Sequence, residues 1–188
     1  MKLAVFVSGN GSNLQVIIDA IKERSLTGIN IEIVIADRNC FALERAKQAN
    51  IFTYQLDRRS DWYQEVDFIL KKREVTHILL AGFLSVIHPA ICMTWKNKII
   101  NLHPSLLPKY GGKGMYGLSV HQAVILNHEN ESGATIHHVT EQLDDGKILL
   151  QKKCKVDLDE TPESLQQKVH LIEHDLIIEG IKLLYAET

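Results

Sequence analysis

The chain has 188 residues, 45% hydrophobic and 23% charged, with a net charge of −2. That is the length of one domain and the composition of a folded globular chain, which excludes disordered, collagen-like and low-complexity classes. No excess of charge demands nucleic acid or an anionic membrane. The three scattered cysteines, Cys40, Cys92 and Cys154, include no CxxC pair, which points to a reducing compartment rather than a disulfide framework or zinc-thiolate site.

The start, MKLAVFVSGNGS, has one Lys and a short apolar run with no small-residue cleavage site, so it reads as a buried strand over 2–8 and not as a signal peptide. Leu14, Ile17, Ile18 and Ile21 follow at helical spacing. A second β-branched run covers 29–36, a helix is expected over 42–49, and 51–56 forms a third strand. Ser60 is the expected N-cap of a helix using Val66, Ile69 and Leu70. Apolar strands recur at 76–83 and 99–102. Beyond 101–114, rich in Pro and Gly, a short helix is expected over 120–126 and a β-hairpin from 133–140 and 147–156. Thr161 caps a long last helix with Pro162 at its first position and an apolar stripe of Leu165, Val169, Ile172, Leu176 and Leu183. Gly180 falls in step with that stripe and permits close packing. No apolar stretch approaches ~18 residues, so no transmembrane helix is expected. The fold class is α/β: an open, mostly parallel twisted Rossmann-like sheet with helices on both faces and an antiparallel hairpin in the C-terminal half. One domain, 1–188, is the economical division, and the protein is expected to be soluble and cytoplasmic.

Candidate chemistry sits in four places. Gly9-Asn-Gly-Ser-Asn13 lies between the first strand and first helix, where backbone amides and a helix start offer a phosphate cradle or a simple capped turn. It is not a dinucleotide fingerprint, because Leu14 stands where a third Gly belongs. Asp37, at the end of the second strand, fits a loop cap better than a ribose-binding acid. Asn101 and His103, two residues apart at a strand's C-terminal end, supply an oxyanion donor and a proton carrier, or a structural turn. Leu143-Asp-Asp-Gly146 supplies a carboxylate that favours a charged His103, or an Asp-Gly hairpin turn. Of the neighbours His137 and His138, one at most faces that crevice. His170, Glu173 and His174 match H-x-x-E-H, but no His or Cys follows as a third ligand, so they read as a partly exposed helix face and no metal is expected.

Four segments in this order, SGNGSNLQ at 8–15, AGF at 81–83, NLHPSLLPKY at 101–110 and LDDG at 143–146, resemble the phosphoribosylglycinamide formyltransferase family of purine biosynthesis, from residue 1 to about 184. The resemblance implies transfer of a formyl group from 10-formyltetrahydrofolate, as co-substrate, to the amine of glycinamide ribonucleotide. By that resemblance Asn101, His103 and Asp144 are the catalytic trio, supported by His137. Gly11, Ser12, Asn13 and Glu173 hold the phosphate and ribose. Arg59, Leu84, Ser85, Val86, Ile87, Thr140, Glu141, Gln142 and Leu143 line the folate site. Residues 1–100 form the nucleotide half, and 101–188 the catalytic and folate half. The implied partners are small molecules, with no nucleic acid and no membrane, and the protein is a monomer or homodimer.

Two departures stand out. Ser85 occupies a position where many members carry Arg, and the 111–121 segment is longer than the shortest versions, with His121 matching a frequent loop His. Formyltetrahydrofolate hydrolase and methionyl-tRNA formyltransferase share the trio. They usually carry an additional regulatory or RNA-binding domain, which this sequence is expected to lack. A non-catalytic nucleotide-binding module is the remaining alternative, and the intact trio argues against it.

Overall fold

Runs of β-branched and aliphatic residues become strands buried on both faces, as a parallel sheet requires. The computed structural model describes residues 1–57 and 61–186. The chain order is β1 (Lys2–Val7), α1 (Ser12–Lys22), β2 (Asn30–Ala36), α2 (Phe41–Gln48), β3 (Thr53–Gln55), α3 (Trp62–Lys72), β4 (His77–Ala81), α4 (Pro89–Thr94) and β5 (Ile99–His103). Then come α5 (Leu118–Leu126), β6 (Glu131–His138), β7 (Ile148–Lys155) and α6 (Pro162–Ala186). The seven strands lie in the order β3-β2-β1-β4-β5-β6-β7. β1 pairs in parallel with β2 and β4, and β2 with β3, while β6 and β7 are antiparallel. The expected sheet class and C-terminal hairpin are therefore present. Among the described residues no helix is long and apolar enough to cross a membrane.

The chain divides into two compact units, Met1–Ile100 and Asn101–Thr188. In the first, Phe6, Ile33, Ile35, Ile78 and Leu79 are fully buried. Each such side chain contributes roughly 1.5–3 kcal/mol by leaving water. β3 is shorter than expected, and α4 had no counterpart in the sequence reading. Six residues are too few to show a helical period; α4 begins on Pro89, with His88 Nδ1 accepting the Ala90 amide at 3.2 Å. Ser60, the expected cap of α3, lies outside the described residues. The helix starts after Asp61, whose side chain makes no capping bond.

In the second unit, α6 starts as expected: Thr161 Oγ1 accepts the Ser164 amide at 3.2 Å, with Pro162 next in line. Its buried stripe differs from expectation. Leu165, Val169 and Leu176 are buried, but Ile172 is half-buried and Leu183 exposed, while Ile177, Ile181 and Leu184 are inside. At 3.6 residues per turn Leu183 returns to the azimuth of Leu165, so the burial of Glu173, Ile177, Ile181 and Leu184 instead means that the contact face moves around α6 along its length. Gly180 lies on that face, where a Cβ would stand 2.3 Å from Ile136 Cδ1, so its absence lets α6 close on β6.

Candidate active site

The chemistry-bearing side chains of the second unit converge. Asn101 and His103 share one face of β5 because a strand repeats every two residues. His103 Nε2 lies 2.8 Å from the Tyr110 carbonyl, which only accepts, so Nε2–H donates. That leaves Nδ1 turned to Asp144 Oδ2 at 3.6 Å. Asp144 Oδ2 also accepts the Gly112 amide at 2.9 Å. Both side chains are nearly buried, 6% and 9% exposed, so their attraction is screened far less than a surface pair's.

His137 completes the group, and it is this histidine, not His138, that meets Asn101. Its Nδ1 donates to the His138 carbonyl at 2.8 Å, and burial pushes its pKa down, so the ring is neutral with Nε2 as acceptor. Nε2 takes a proton from Asn101 Nδ2 at 3.1 Å, which fixes the orientation of that amide. The second Nδ2 hydrogen faces Asp144 Oδ1 at 3.5 Å, a weak contact. The ladder is irregular here: Ile136 pairs Leu150 but His137 pairs Ile148, so the extra residue, Leu149, lies on β7 opposite the site histidine.

The loop after β5 is pinned from below. Thr135 Oγ1 donates to the Ser105 carbonyl at 2.6 Å and accepts the Leu107 amide at 3.1 Å, and Gln151 Nε2 donates to the Leu107 carbonyl at 2.8 Å. Ser105 Oγ donates to the Lys109 carbonyl at 2.7 Å. Asp144 adopts φ +54°, a left-handed backbone that orients its carboxylate inside the 139–147 loop. Asp145, its neighbour, is exposed. In the same loop Glu141, Gln142 and Leu143 are exposed, and Thr140 Oγ1 accepts the Gln142 amide at 3.2 Å.

Glu173 is buried on α6 and accepts from His170 Nδ1 at 2.8 Å, a bond that raises the His170 pKa against the effect of burial. His174 Nε2 stands 3.2 Å from His170 Nε2. The H-x-x-E-H pattern is thus a helix face bonded to itself, and among the described residues no three His, Cys, Asp or Glu side chains group to hold a metal. His121 is buried on α5; its Nδ1 has no hydrogen-bond partner among the described residues, and burial pushes its pKa down.

In the first unit, Gly11 takes φ +73° and packs so that a Cβ would stand 2.8 Å from Ala42 Cα, so glycine is required twice over. The first helical bond of α1 joins the Gln15 amide to the Gly11 carbonyl, so the amides of 12–14 precede the helical ladder. Arg45 of α2 braces the loop, donating from Nε to the Asn10 carbonyl at 2.8 Å and from Nη2 to Asn10 Oδ1 at 3.2 Å. Nothing in the spacing of the sequence pointed to Arg45.

Asp37 is buried and serves a loop, as read above. It takes a bidentate contact from Arg38, at 2.9 Å from Nε and 2.8 Å from Nη2, and a bond from Ser85 Oγ at 2.6 Å. Burial alone would raise its pKa, but the bonds from Arg38, Ser85 and Ser8 outweigh it and hold the carboxyl at about 2. A depressed acid stabilises the fold above its unfolded pKa and loses that stability as pH falls through the folded value. Native Asp37 should therefore contribute on the order of 2 kcal/mol near neutrality, lost between about pH 4 and pH 2. Acid titration of unfolding should be shallower in Asp37→Asn over that window; identical curves would refute the assignment. In the 84–87 loop Leu84 and Val86 are exposed, Ser85 half-buried and Ile87 buried. Arg59 lies outside the described residues.

A formyl transferase family profile matches residues 1–181. The chain is 38% identical to the chloroplastic phosphoribosylglycinamide formyltransferase of Arabidopsis thaliana over 99% of its own length, and spans 66% of that protein, just under two thirds. It is 35% identical to the phosphoribosylglycinamide formyltransferase of Escherichia coli over 93% of this chain and 82% of that one. The crystal structure of phosphoribosylglycinamide formyltransferase from Anaplasma phagocytophilum superimposes with a TM-score of 0.91 at 29% identity, covering all of this chain and 88% of that one. With Asn101, His103 and Asp144 gathered in one unit and the glycine loop intact in the other, the chain belongs to the formyl transferase family, among its phosphoribosylglycinamide formyltransferases.

Proposed function

We propose that the protein transfers the formyl group of 10-formyltetrahydrofolate to the primary amine of glycinamide ribonucleotide. The observation that carries this reading is the Asn101 amide held between His137 Nε2 at 3.1 Å and Asp144 Oδ1 at 3.5 Å, beside His103. The amine nitrogen attacks the formyl carbon, a C–N bond forms and the carbonyl electrons move to oxygen. The oxyanion draws the Asn101 N–H away from its weak Asp144 contact, while the strong His137 bond keeps the amide aimed. His103 Nδ1, paired with Asp144, carries the proton lost by the amine to the folate nitrogen as the old C–N bond breaks. No metal and no covalent enzyme intermediate enters this sequence of steps. Residues 1–100 serve the ribonucleotide phosphate through Gly11, Ser12 and Asn13, with Glu173 on the ribose. Residues 101–188 serve chemistry and, through 140–143, the folate. Leu84, Ser85, Val86, Ile87 and Arg59 complete the donor site.

The net charge of −2 supports small molecules over nucleic acid as partners. We place the protein in the cytoplasm as a monomer or homodimer.

A spectrophotometric assay of a 10-formylated folate, with and without glycinamide ribonucleotide, tests the reading. Deformylation only with the ribonucleotide is expected. Deformylation without it would make water the acceptor, and silence in both would overturn the reaction.

A further inference from the structure

The loop that leaves β4 does not stop at the end of its own strand. The Leu84 amide donates to Ser8 Oγ at 2.8 Å, at the end of β1. One residue on, Ser85 Oγ donates to Asp37 Oδ2 at 2.6 Å, at the end of β2. Since β4, β1 and β2 are neighbours in that order, the 84–85 segment crosses the C-terminal end of β1 and ties to the strand beyond. Ser8 and Asp37 are both nearly inaccessible, at 5% and 4% exposure, so both anchors are rigid. Arg38 grips both oxygens of the carboxylate, sharing Oδ2 with Ser85. A hydroxyl bonded to an ionised carboxylate is among the stronger neutral donors a loop can use. Position 85 thus spends its side chain inward on the fold, and does not offer a cation outward.

We propose that the Ser8–Leu84 and Ser85–Asp37 bonds form a latch that sets the 84–87 loop for the formyl donor, making Ser85 and Asp37 positioning residues for folate. The proposal rests on the reading that 84–87 line the donor site. Its predicted signature is selective: the latch serves the donor and leaves the ribonucleotide and the chemical step alone.

The test uses the full chain with Ser85→Ala, which removes the bond from a half-buried position, and Ser85→Thr, which keeps a hydroxyl there. Three readouts are compared: hydrogen exchange of the 82–88 amides, Kd for a 10-formylated folate by calorimetry, and KM for each substrate. Ser85→Ala should speed exchange in 82–88 and raise folate Kd and donor KM about tenfold, the loss of one charge-assisted bond. KM for the ribonucleotide and kcat should stay within about twofold, and Ser85→Thr should recover most of the loss. Unchanged exchange in Ser85→Ala overturns the latch. Faster exchange with unchanged folate Kd overturns the positioning role and moves the donor site off this loop. Folate binding that follows the latch in a protein that never turns over supports the proposal and sinks the proposed reaction instead.

Discussion

Replacing His103 with alanine is expected to lower kcat by about 10²–10⁴-fold, the range for loss of a positioned proton carrier. The imidazole lies between Asp144 Oδ2, at 3.6 Å, and the Tyr110 carbonyl, at 2.8 Å. His137, whose Nε2 also stands 3.6 Å from Asp144 Oδ1, is the nearest substitute, but its place is beside Asn101. His137 is neutral with its Nε2 given to Asn101, and burial keeps it so. The fold should survive, because the groups left behind retain partners. Asp144 keeps the Gly112 amide at 2.9 Å, and the Tyr110 carbonyl keeps Ser105 Oγ at 3.4 Å. The stability loss should therefore stay near 1–3 kcal/mol. Single-turnover rates with both substrates, alongside denaturant unfolding, check this. A His103→Ala protein that turns over within a few-fold of wild type would remove His103 from the mechanism.

The second large effect is expected at a residue with no side chain. A Cβ on Gly146 would lie 1.7 Å from the His138 carbonyl oxygen and 2.6 Å from its carbon. Both are backbone atoms, and that carbonyl also holds His137 Nδ1. Gly146→Ala must therefore push the 139–147 loop away, taking Asp144 with it. A displacement near 1 Å in a reacting constellation can cost about 10²-fold, and overpacking against backbone costs about 1–3 kcal/mol or more. The expected result is a loss of kcat of at least about tenfold, together with a lowered unfolding midpoint. Asp145→Ala, an exposed neighbour in the same loop, should change stability by no more than about 0.5 kcal/mol. If both variants behave alike, the close approach at Gly146 does not control Asp144.

The strands were readable because a parallel sheet buries both faces and so leaves continuous apolar runs, as in LAVFV and IEIVIA. The convergence of Asn101 and His103 was readable too, since alternation along a strand is a property of spacing. What the residues did not announce was backbone. The Tyr110 carbonyl that sets the His103 tautomer and the Gly112 amide on Asp144 belong to no particular residue type. For Asp145-Gly146 the sequence left an Asp-Gly hairpin turn open beside the carboxylate reading. The connection instead spans 139–147, and its glycine answers a close approach, whereas the positive φ belongs to Asp144. Arg45 carries no local sequence signal, because its contact to Asn10 bridges 35 residues. The exposure of Leu183 and burial of Leu184 were not legible because the expected stripe assumes one fixed face, whereas the face that α6 buries moves around the helix.

The side chains proposed for the transfer step, Asn101, His103 and Asp144, and His137 that positions Asn101, come from Asn101–Thr188, whereas Gly11, Arg45 and the glycine loop come from Met1–Ile100. Inheritance can act on the two sets separately. On the proposed reading, a lineage could exchange the loop assigned to the acceptor's phosphate while passing on an unaltered transfer apparatus. Drift in the first hundred residues would then show up as new acceptor preferences before it showed up as lost chemistry. If the proposed assignments hold, a designer seeking an acceptor with a different anionic group should start at 9–13 and leave Asn101, His103, His137 and Asp144 untouched.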